Sequence, residues 1–182
     1  TSTKEFIASV LSQKFKVCKT QKNFNNEIGL PMTVLSIQPE DEAAVLEMGI
    51  SDFGEMTRLT EIAKPDYCVI TNIGQCHLEN LKTRDGILKA KTEVFAHMPA
   101  SGRVILNGDD DKLQQADTLG MEKHFFGLQG QEFFGSAIAG HVDHVDALLH
   151  TPQWEHAVSI PIPGEHNVYN ALAATAAGTL LG

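Results

Sequence analysis

The chain has 182 residues, 42% of them hydrophobic, which predicts one globular domain with its own core. Its formal charge of −9, from 23 acidic and 14 basic residues, leaves no basic stripe for a nucleic acid. We expect neither a membrane span nor a signal peptide, because no apolar run is long enough. Three cysteines without metal-type spacing predict a reduced, cytoplasmic protein.

The chain opens with a predicted helix over residues 1–12, in which apolar residues repeat at helical spacing and Ser2 with Glu5 fits a capping box. Because this helix starts at the first residue, we expect the chain to be a piece of a longer protein. An asparagine-rich loop follows, after which Pro31 suits the first turn of a short helix.

Three short apolar runs are predicted to be strands, over residues 43–46, 67–71 and 103–106. Helical patterns lie between them over residues 54–64 and 83–98. This alternation predicts the α/β class, with three layers and a mostly parallel sheet flanked by helices. Since each connection is long enough for a right-handed crossover, we expect the three strands to be neighbours in one sheet.

The pattern changes between residues 122 and 161, where several short β-like runs follow one another without a helical pattern. These runs predict a small antiparallel β appendage at the edge of the main sheet. The last segment, residues 163–182, begins with Pro and Gly and then becomes rich in alanine. It predicts a final helix.

Polar residues follow the predicted strands where each one ends. They are Glu47 after the first, Asn72 and His77 after the second, and Asn107, Asp109 and Asp110 after the third. One such ending is ordinary turn chemistry, but three at the same edge of a parallel sheet indicate a site. Taken singly, Glu47 fits a solvated strand end as well as a ligand, and His77 is more often structural. Together they predict a metal and phosphate site.

Lys91 interrupts the apolar stripe of the helix predicted over residues 83–98. A lysine there costs free energy unless its head reaches solvent or its chemistry changes. Burial lowers its pKa from about 10.4 and so favours the neutral amine, which can add CO₂ to form a carbamate. A nearby divalent cation would stabilise that anion, and Glu47 is a natural oxygen ligand for Mg²⁺. A lysine that merely snorkels stays the alternative.

The opening residues Thr-Ser-Thr-Lys match the start of the helix that follows a phosphate loop, where a threonine hydroxyl contacts Mg²⁺. The glycines and the lysine of such a loop are absent from the sequence. Many helices begin with Ser or Thr, so this pattern alone is not specific.

Seven segments, in their order and spacing, resemble the central domain of the Mur ligase family. They are TSTKEF, NFNNEIGLP, AVLEMG, ITNIGQCHLE, GILKAKTEVF, ILNGDD and GEHNVYNALAA. The resemblance covers residues 1–182 and is weakest between about residues 112 and 160. It implies a P-loop NTPase-like, ATP-binding central domain without the phosphate-loop Gly-Lys and without the N- and C-terminal domains of these ligases.

The resemblance implies an ATP-dependent ligase of peptidoglycan synthesis, which serves cell wall biogenesis, cell shape and cell division. The segments are most like the members that join D-alanyl-D-alanine to UDP-N-acetylmuramoyl-tripeptide. In that reaction ATP phosphorylates the terminal carboxylate and the dipeptide amine attacks the acyl phosphate. Two alternatives remain: another Mur-type or folylpolyglutamate-type ligase, and a non-catalytic nucleotide- or metal-binding module.

The resemblance also assigns roles to the expected site residues. Thr1 and Glu47 would bind Mg²⁺ between the ATP phosphates, while His77 and carbamylated Lys91 would hold a second ion and act in catalysis. Four asparagines are implied to contact the substrates, two on the adenine or ribose side and two near the phosphates and the uridine-linked substrate. These pairs are Asn107 with Asn167, and Asn25 with Asn26.

Overall fold

Helices and strands alternate through the first two-thirds of the chain, as the sequence predicts. The computed structural model describes residues 1–75 and 78–182. The helices are α1 (Ser2–Leu11), α2 (Gly29–Leu35), α3 (Glu55–Ala63), α4 (Leu78–Leu81), α5 (Arg84–Thr92), α6 (Asp111–Gln114) and α7 (His166–Leu181). The strands are β1 (Val17–Lys19), β2 (Ala43–Val45), β3 (Tyr67–Ile70), β4 (Arg103–Asn107), β5 (Glu122–Gly127), β6 (Phe133–Gly140), β7 (Val145–His150) and β8 (Glu155–Ile160).

The main sheet has six strands in the order β3-β4-β5-β6-β7-β8. The pairs from β3 to β6 are parallel, whereas β6, β7 and β8 pair antiparallel. The predicted pairing of the second and third strands is confirmed, because Tyr67 lies opposite Arg103 and Ile70 opposite Leu106. The predicted antiparallel appendage exists as β6–β8, but β5 belongs to the parallel part of the sheet.

The predicted position of residues 43–46 beside residues 67–71 is wrong. β2 instead pairs in parallel with β1, in a separate two-stranded sheet, with Val17 opposite Ala43 and Lys19 opposite Val45. β1 has only three residues and ends in a lysine, so its sequence carries too little apolar pattern to predict a strand. Strand order is set by which segments pack together, and local periodicity does not encode that choice.

β4 separates two hydrophobic cores. Val104 and Leu106 belong to the core beneath α3 and α5, while Ile105 belongs to the core beneath α1 and α7. All three side chains are fully buried, and successive residues of a strand point to opposite faces of a sheet. The predicted three-layer α/β fold is therefore confirmed.

The helix predicted over residues 83–98 is divided into two parts. α5 begins at the N-cap Thr83, whose hydroxyl accepts from Gly86 N at 3.0 Å, and a 3₁₀ helix continues over Glu93–His97. The division falls where the carboxylate of Glu93 accepts two hydrogen bonds of 3.0 Å from Gly54 N at the start of α3. This contact ties the end of α5 to α3.

Two of the three cysteines lie within the described residues, and both Cys18 and Cys68 are free. Desolvation in β3 raises the pKa of the Cys68 thiol to about 12, so it stays protonated at neutral pH. Among the helices of the described ranges, none is long and apolar enough to cross a membrane.

Candidate functional site

Three predicted site residues from separate segments meet just after β2. Glu47 Oε1 accepts hydrogen bonds from Thr1 Oγ1 at 2.9 Å and from Asn25 Nδ2 at 3.0 Å. A backbone hydrogen bond of 2.7 Å from Gly49 N to Asn25 O holds the asparagine loop against the same segment. The fold thus brings a hydroxyl, an amide and a carboxylate from distant parts of the sequence together.

The predicted capping box of Ser2 and Glu5 does not form. Thr1 is the N-cap of α1 and makes no side-chain cap hydrogen bond, because its hydroxyl donates to Glu47 instead. Glu5 pairs with Lys4 and Lys19. The first residue of the chain therefore directs its hydroxyl at a carboxylate rather than at the helix backbone.

Lys4 is a buried cation behind Glu47 that the sequence analysis did not single out. It is 5% exposed, and its Nζ donates to the Thr20 carbonyl at 2.7 Å and lies 3.7 Å from Glu47 Oε2. The hydroxyl of the fully buried Thr20 accepts from Glu47 N at 2.9 Å. Lys4 lies in the apolar stripe of α1. A lysine that interrupts an apolar stripe is the same pattern that indicates Lys91, so the sequence also contains a signal for Lys4.

The Glu47 carboxylate is ionised, and one of its oxygens makes no hydrogen bond to a described residue. Desolvation raises its pKa, but the hydrogen bonds from Thr1 and Asn25 and the charge of Lys4 act in the opposite direction, and the pKa lies below its ordinary value. Within the described residues, the buried Oε2 has no hydrogen-bond partner. The 3.7 Å to Lys4 is too long for a hydrogen bond.

The residues around Glu47 fit a magnesium ion. Mg²⁺ prefers oxygen ligands in an octahedron with bonds of about 2.0–2.1 Å, which places neighbouring ligand oxygens about 2.9 Å apart. The Thr1 and Glu47 oxygens are separated by that distance, 2.9 Å. The second carboxylate oxygen, Oε2, has no hydrogen-bond partner in the described part of the chain and has the Lys4 ammonium 3.7 Å away.

Lys91 lies at a cavity beside the segment that follows Glu47. The cavity has a volume of about 210 Å³ and is lined by residues 48–50 after β2, Asn72 and Gly74 after β3, Leu81, and Ile87 and Lys91 of α5. Lys91 is half-buried, and its Nζ donates to the Asn72 carbonyl at 2.8 Å. Although β2 and β3 are not paired, the loops that follow them still meet, as the site prediction requires.

The polar residues after β4 connect strand ends to one another. Asn107 Nδ2 donates to the Thr71 carbonyl at 2.9 Å, and Asn107 Oδ1 accepts from Asp109 N at 2.9 Å. Asp110 caps α6 by accepting two backbone hydrogen bonds of 3.0 and 3.1 Å, and it also accepts from Ile73 N at 2.7 Å. These contacts give the polar residues after β4 a structural role, and the predicted contact of Asn107 with the nucleotide stays a prediction.

Asp109 extends the same edge of the sheet to α7. Tyr169 donates to Asp109 Oδ2 at 2.9 Å, and Leu128 N donates to the same oxygen at 2.6 Å. Desolvation, together with the Asp109 carboxylate, raises the pKa of Tyr169 to about 12. Asp109 Oδ1 is buried and has no hydrogen-bond partner in the ranges that the structure describes.

A sequence profile of the Mur ligase middle domain matches residues 1–178. The chain belongs to the Mur ligase middle-domain family. The match takes in every helix and strand described above except the last residues of α7. It confirms the family that the seven segments predicted.

Curated relatives and solved structures extend this Mur ligase match. The UDP-N-acetylmuramoyl-tripeptide–D-alanyl-D-alanine ligase of Bacillus subtilis is 41% identical over 100% of this chain and 39% of its own length. MurF from Acinetobacter baumannii superposes with a TM-score of 0.94 at 35% identity, over 100% of this chain and 40% of that one. MurF ligase from Thermotoga maritima in complex with ADP superposes with a TM-score of 0.91 at 28% identity, over 100% of this chain and 43% of that one. The chain thus spans about 40% of these proteins.

The other two predicted asparagines, Asn26 and Asn167, also have structural contacts in this Mur ligase domain. Asn26 Oδ1 accepts from the backbone of Ile28 and Gly29 at 3.1 and 2.9 Å, which fixes the start of α2. Asn167 is 2% exposed and donates to the Pro163 carbonyl at 2.9 Å. Through Asn170, which donates to Asn167 at 3.1 Å and accepts from Thr3 in α1 at 2.6 Å, it joins α7 to α1.

His77 lies outside the described residues, together with Cys76. Its predicted place opposite Lys91 therefore stays a prediction. The segments on either side of it, which contain Gly74 and Leu81, both line the Lys91 cavity of the Mur ligase domain.

Proposed function

We propose that this Mur ligase domain is the ATP-binding part of a cytoplasmic ligase that joins D-alanyl-D-alanine to UDP-N-acetylmuramoyl-tripeptide in peptidoglycan synthesis. Relatives with that name match the chain over its whole length. The observation that carries the proposal is the meeting of Thr1, Asn25 and Glu47 beside an unpartnered carboxylate oxygen. The phosphate-loop Gly-Lys and the N- and C-terminal domains would come from flanking sequence.

The proposed reaction activates a carboxylate at the expense of ATP. The terminal phosphoryl group passes to the tripeptide carboxylate and leaves ADP, and the dipeptide amine then attacks the acyl carbon. The amide bond forms as the C–O bond to phosphate breaks, and inorganic phosphate and a proton are released. Bound Mg²⁺ would neutralise phosphate charge during the transfer.

The residues of this chain would hold and orient that ion. Thr1 and Glu47 supply oxygens 2.9 Å apart. Asn25 fixes the carboxylate through its side-chain amide, and Lys4, held by the Thr20 carbonyl, balances the carboxylate charge from behind. Lys4 and Asn25 are thus positioning residues, because they act through Glu47.

Lys91 is proposed to be a carbamate in the intact ligase. The ammonium would lose one proton, and the neutral nitrogen would then bond to the carbon of CO₂ and lose a second proton. Together these steps turn a cation into an anion with two oxygens. Lys91 lines the same cavity as residues 48–50, which follow Glu47. An anion at Lys91 would therefore lie near the proposed metal site. With His77 it would bind a second Mg²⁺ near the acyl phosphate.

Substitutions of Lys91 in the intact ligase test this function. Lys91→Arg should abolish phosphate release that depends on both substrates, because a guanidinium cannot add CO₂ and brings positive charge to a cation site. Lys91→Ala should be equally inactive but recover partly when a short-chain carboxylate is added. Phosphate release with and without each substrate is the measurement.

Lys89→Ala is the matched control, since Lys89 is an exposed lysine of the same helix whose Nζ lies 6.0 Å from the Phe53 ring. It should keep nearly full activity. Full activity of Lys91→Arg would refute the carbamate. ATP binding without ligation by the unsubstituted protein would favour the binding-module alternative.

A further inference from the structure

The turn between β6 and β7 brings two histidines and an aspartate to one point. His141 Nε2 lies 3.3 Å from Asp146 Oδ2, and His144 Nε2 lies 3.6 Å from the same oxygen. The three ligand atoms all lie within 4.8 Å of one another. These side chains take no part in the contacts around Glu47 or Lys91 described above.

The backbone of the turn holds both histidines in place. His141 N donates to the His144 carbonyl at 2.9 Å, which closes the four-residue turn. The two imidazole rings stack with centroids 4.1 Å apart and an angle of 6° between their planes. Because the lone pair of a ring nitrogen lies in the ring plane, one ring has to turn about its Cβ–Cγ bond for both Nε2 atoms to bind one ion. Asp146 lies in β7, where the alternation of the strand places it on the face opposite its buried neighbours Val145 and Ala147.

A second carboxylate orients one of the rings. Asp143 Oδ1 lies 2.7 Å from His144 Nδ1. A hydrogen bond from Nδ1 to a carboxylate leaves the Nε2 lone pair available, as in the carboxylate–histidine–metal arrangement of many metal sites. His144 Nε2 is then the nitrogen left for a metal ion, 3.6 Å from Asp146 Oδ2.

The distances from the two histidine nitrogens to the Asp146 oxygen match those around a tetrahedral transition-metal ion. Bonds of about 2.0–2.1 Å to nitrogen and oxygen at tetrahedral angles separate neighbouring ligand atoms by about 3.3 Å. The observed 3.3 and 3.6 Å are close to that value. Imidazole nitrogens favour Zn²⁺ and similar ions over Mg²⁺ or Ca²⁺, and the carboxylates of Asp143 and Asp146 offset the charge of a divalent ion.

We propose that the β6–β7 turn binds a divalent transition-metal ion of the Zn²⁺ class through His141, His144 and Asp146, with water in the fourth position. The ion would clamp a hairpin that extends beyond the parallel sheet. β6 pairs with β5 only at Phe133 and Phe134, whereas it runs on to Gly140. The inference does not depend on the proposed ligase activity.

Zinc titration of the 182-residue chain tests the proposal. ZnCl₂ alone is the probe, in competition with a chromophoric chelator. One equivalent should bind, and His144→Gln and Asp146→Asn should each weaken binding by more than about 100-fold, while Asp143→Asn should weaken it by about tenfold. His156→Gln removes an exposed histidine of β8 and should leave the affinity unchanged.

Cobalt substitution adds a readout of geometry that does not depend on stability. One equivalent of Co²⁺ should give the visible absorption of a tetrahedral site in the unsubstituted chain and lose it in His144→Gln. Circular dichroism should show the same folded content in each variant, because the substituted side chains lie at the surface. Failure to bind one zinc, equal affinity in all variants, or a purely octahedral cobalt spectrum would each overturn the proposal.

Discussion

At the scale of single residues, Glu47 is the centre of the candidate site. We predict that Glu47→Gln in the intact ligase lowers Mg²⁺-dependent ATP affinity at least about tenfold, because a neutral amide is a poorer magnesium ligand than a carboxylate. Calorimetric titration of ATP with and without Mg²⁺ measures the effect. Glu40→Gln is the control, because Glu40 is an exposed carboxylate 3.9 Å from Lys16, and it should leave the Mg²⁺-dependent ATP affinity unchanged. Equal Mg²⁺ dependence in the Glu47 variant would remove Glu47 from the metal site.

Tyr169 gives a residue-scale prediction about pH. Its pKa is raised to about 12 from about 10 in an unfolded chain. Its stabilising contribution is therefore fully present below pH 10 and is lost as the pH rises towards 12. Tyr169→Phe should cost about 1 kcal/mol at pH 8 and should flatten the fall in stability between pH 10 and 12.

Urea unfolding of the chain at pH 8 and pH 11 measures the Tyr169 effect. Tyr67→Phe is the control for loss of a hydroxyl, because Tyr67 donates to the neutral carbonyl of Leu180 at 3.1 Å. If Tyr169→Phe and the unsubstituted chain lose the same stability between the two pH values, the pKa of Tyr169 is not raised in the folded chain.

At the scale of secondary-structure elements, Asp110 joins the ends of β3 and β4. It caps α6 and accepts from Ile73 N, so Asp110→Ala leaves several backbone donors without a partner. We predict a loss of about 2–3 kcal/mol in the free energy of unfolding. Asp85→Ala is the control, because this aspartate pairs with Lys112 and its side chain is 74% exposed. Chemical unfolding should show a clearly larger loss in the free energy of unfolding for Asp110→Ala than for Asp85→Ala. A similar small loss in both variants would contradict the structural role of Asp110.

At the scale of the whole molecule, the 182 residues contain Thr1, Asn25 and Glu47 of the candidate site but no Gly-Lys phosphate loop. In such a loop, successive backbone N–H groups at a helix N-terminus bind the phosphates. We therefore predict no ligase activity and feeble ATP affinity for the chain by itself. Calorimetric titration with ATP and Mg²⁺ should give no resolvable binding heat at micromolar protein. Tight binding there would show that the nucleotide site lies elsewhere.

Local sequence patterns predicted the class of the fold, which the structure confirms, and several candidate site residues, whose roles stay predictions. Alternation of apolar runs with helical stripes predicted the α/β layers, and the polar strand ends drew attention to Glu47 and Asn107. The lysine that interrupts the apolar stripe of α5 indicated Lys91 as a candidate site residue. These features could be read because residues of one strand or one helix face repeat at fixed, short intervals. Asn167 came from family resemblance alone, and the structure uses it to join α7 to α1.

The tertiary structure decided what joins to what. Contacts between distant segments decide three features that local patterns did not show. They are the pairing of β2 with β1, the inclusion of β5 in the parallel sheet, and the position of Lys4 behind Glu47. The meeting of His141, His144 and Asp146 depends on how one turn closes and how β7 alternates. A sequence pattern records the periodicity of a segment, whereas its neighbours are selected by packing and loop closure across the whole chain.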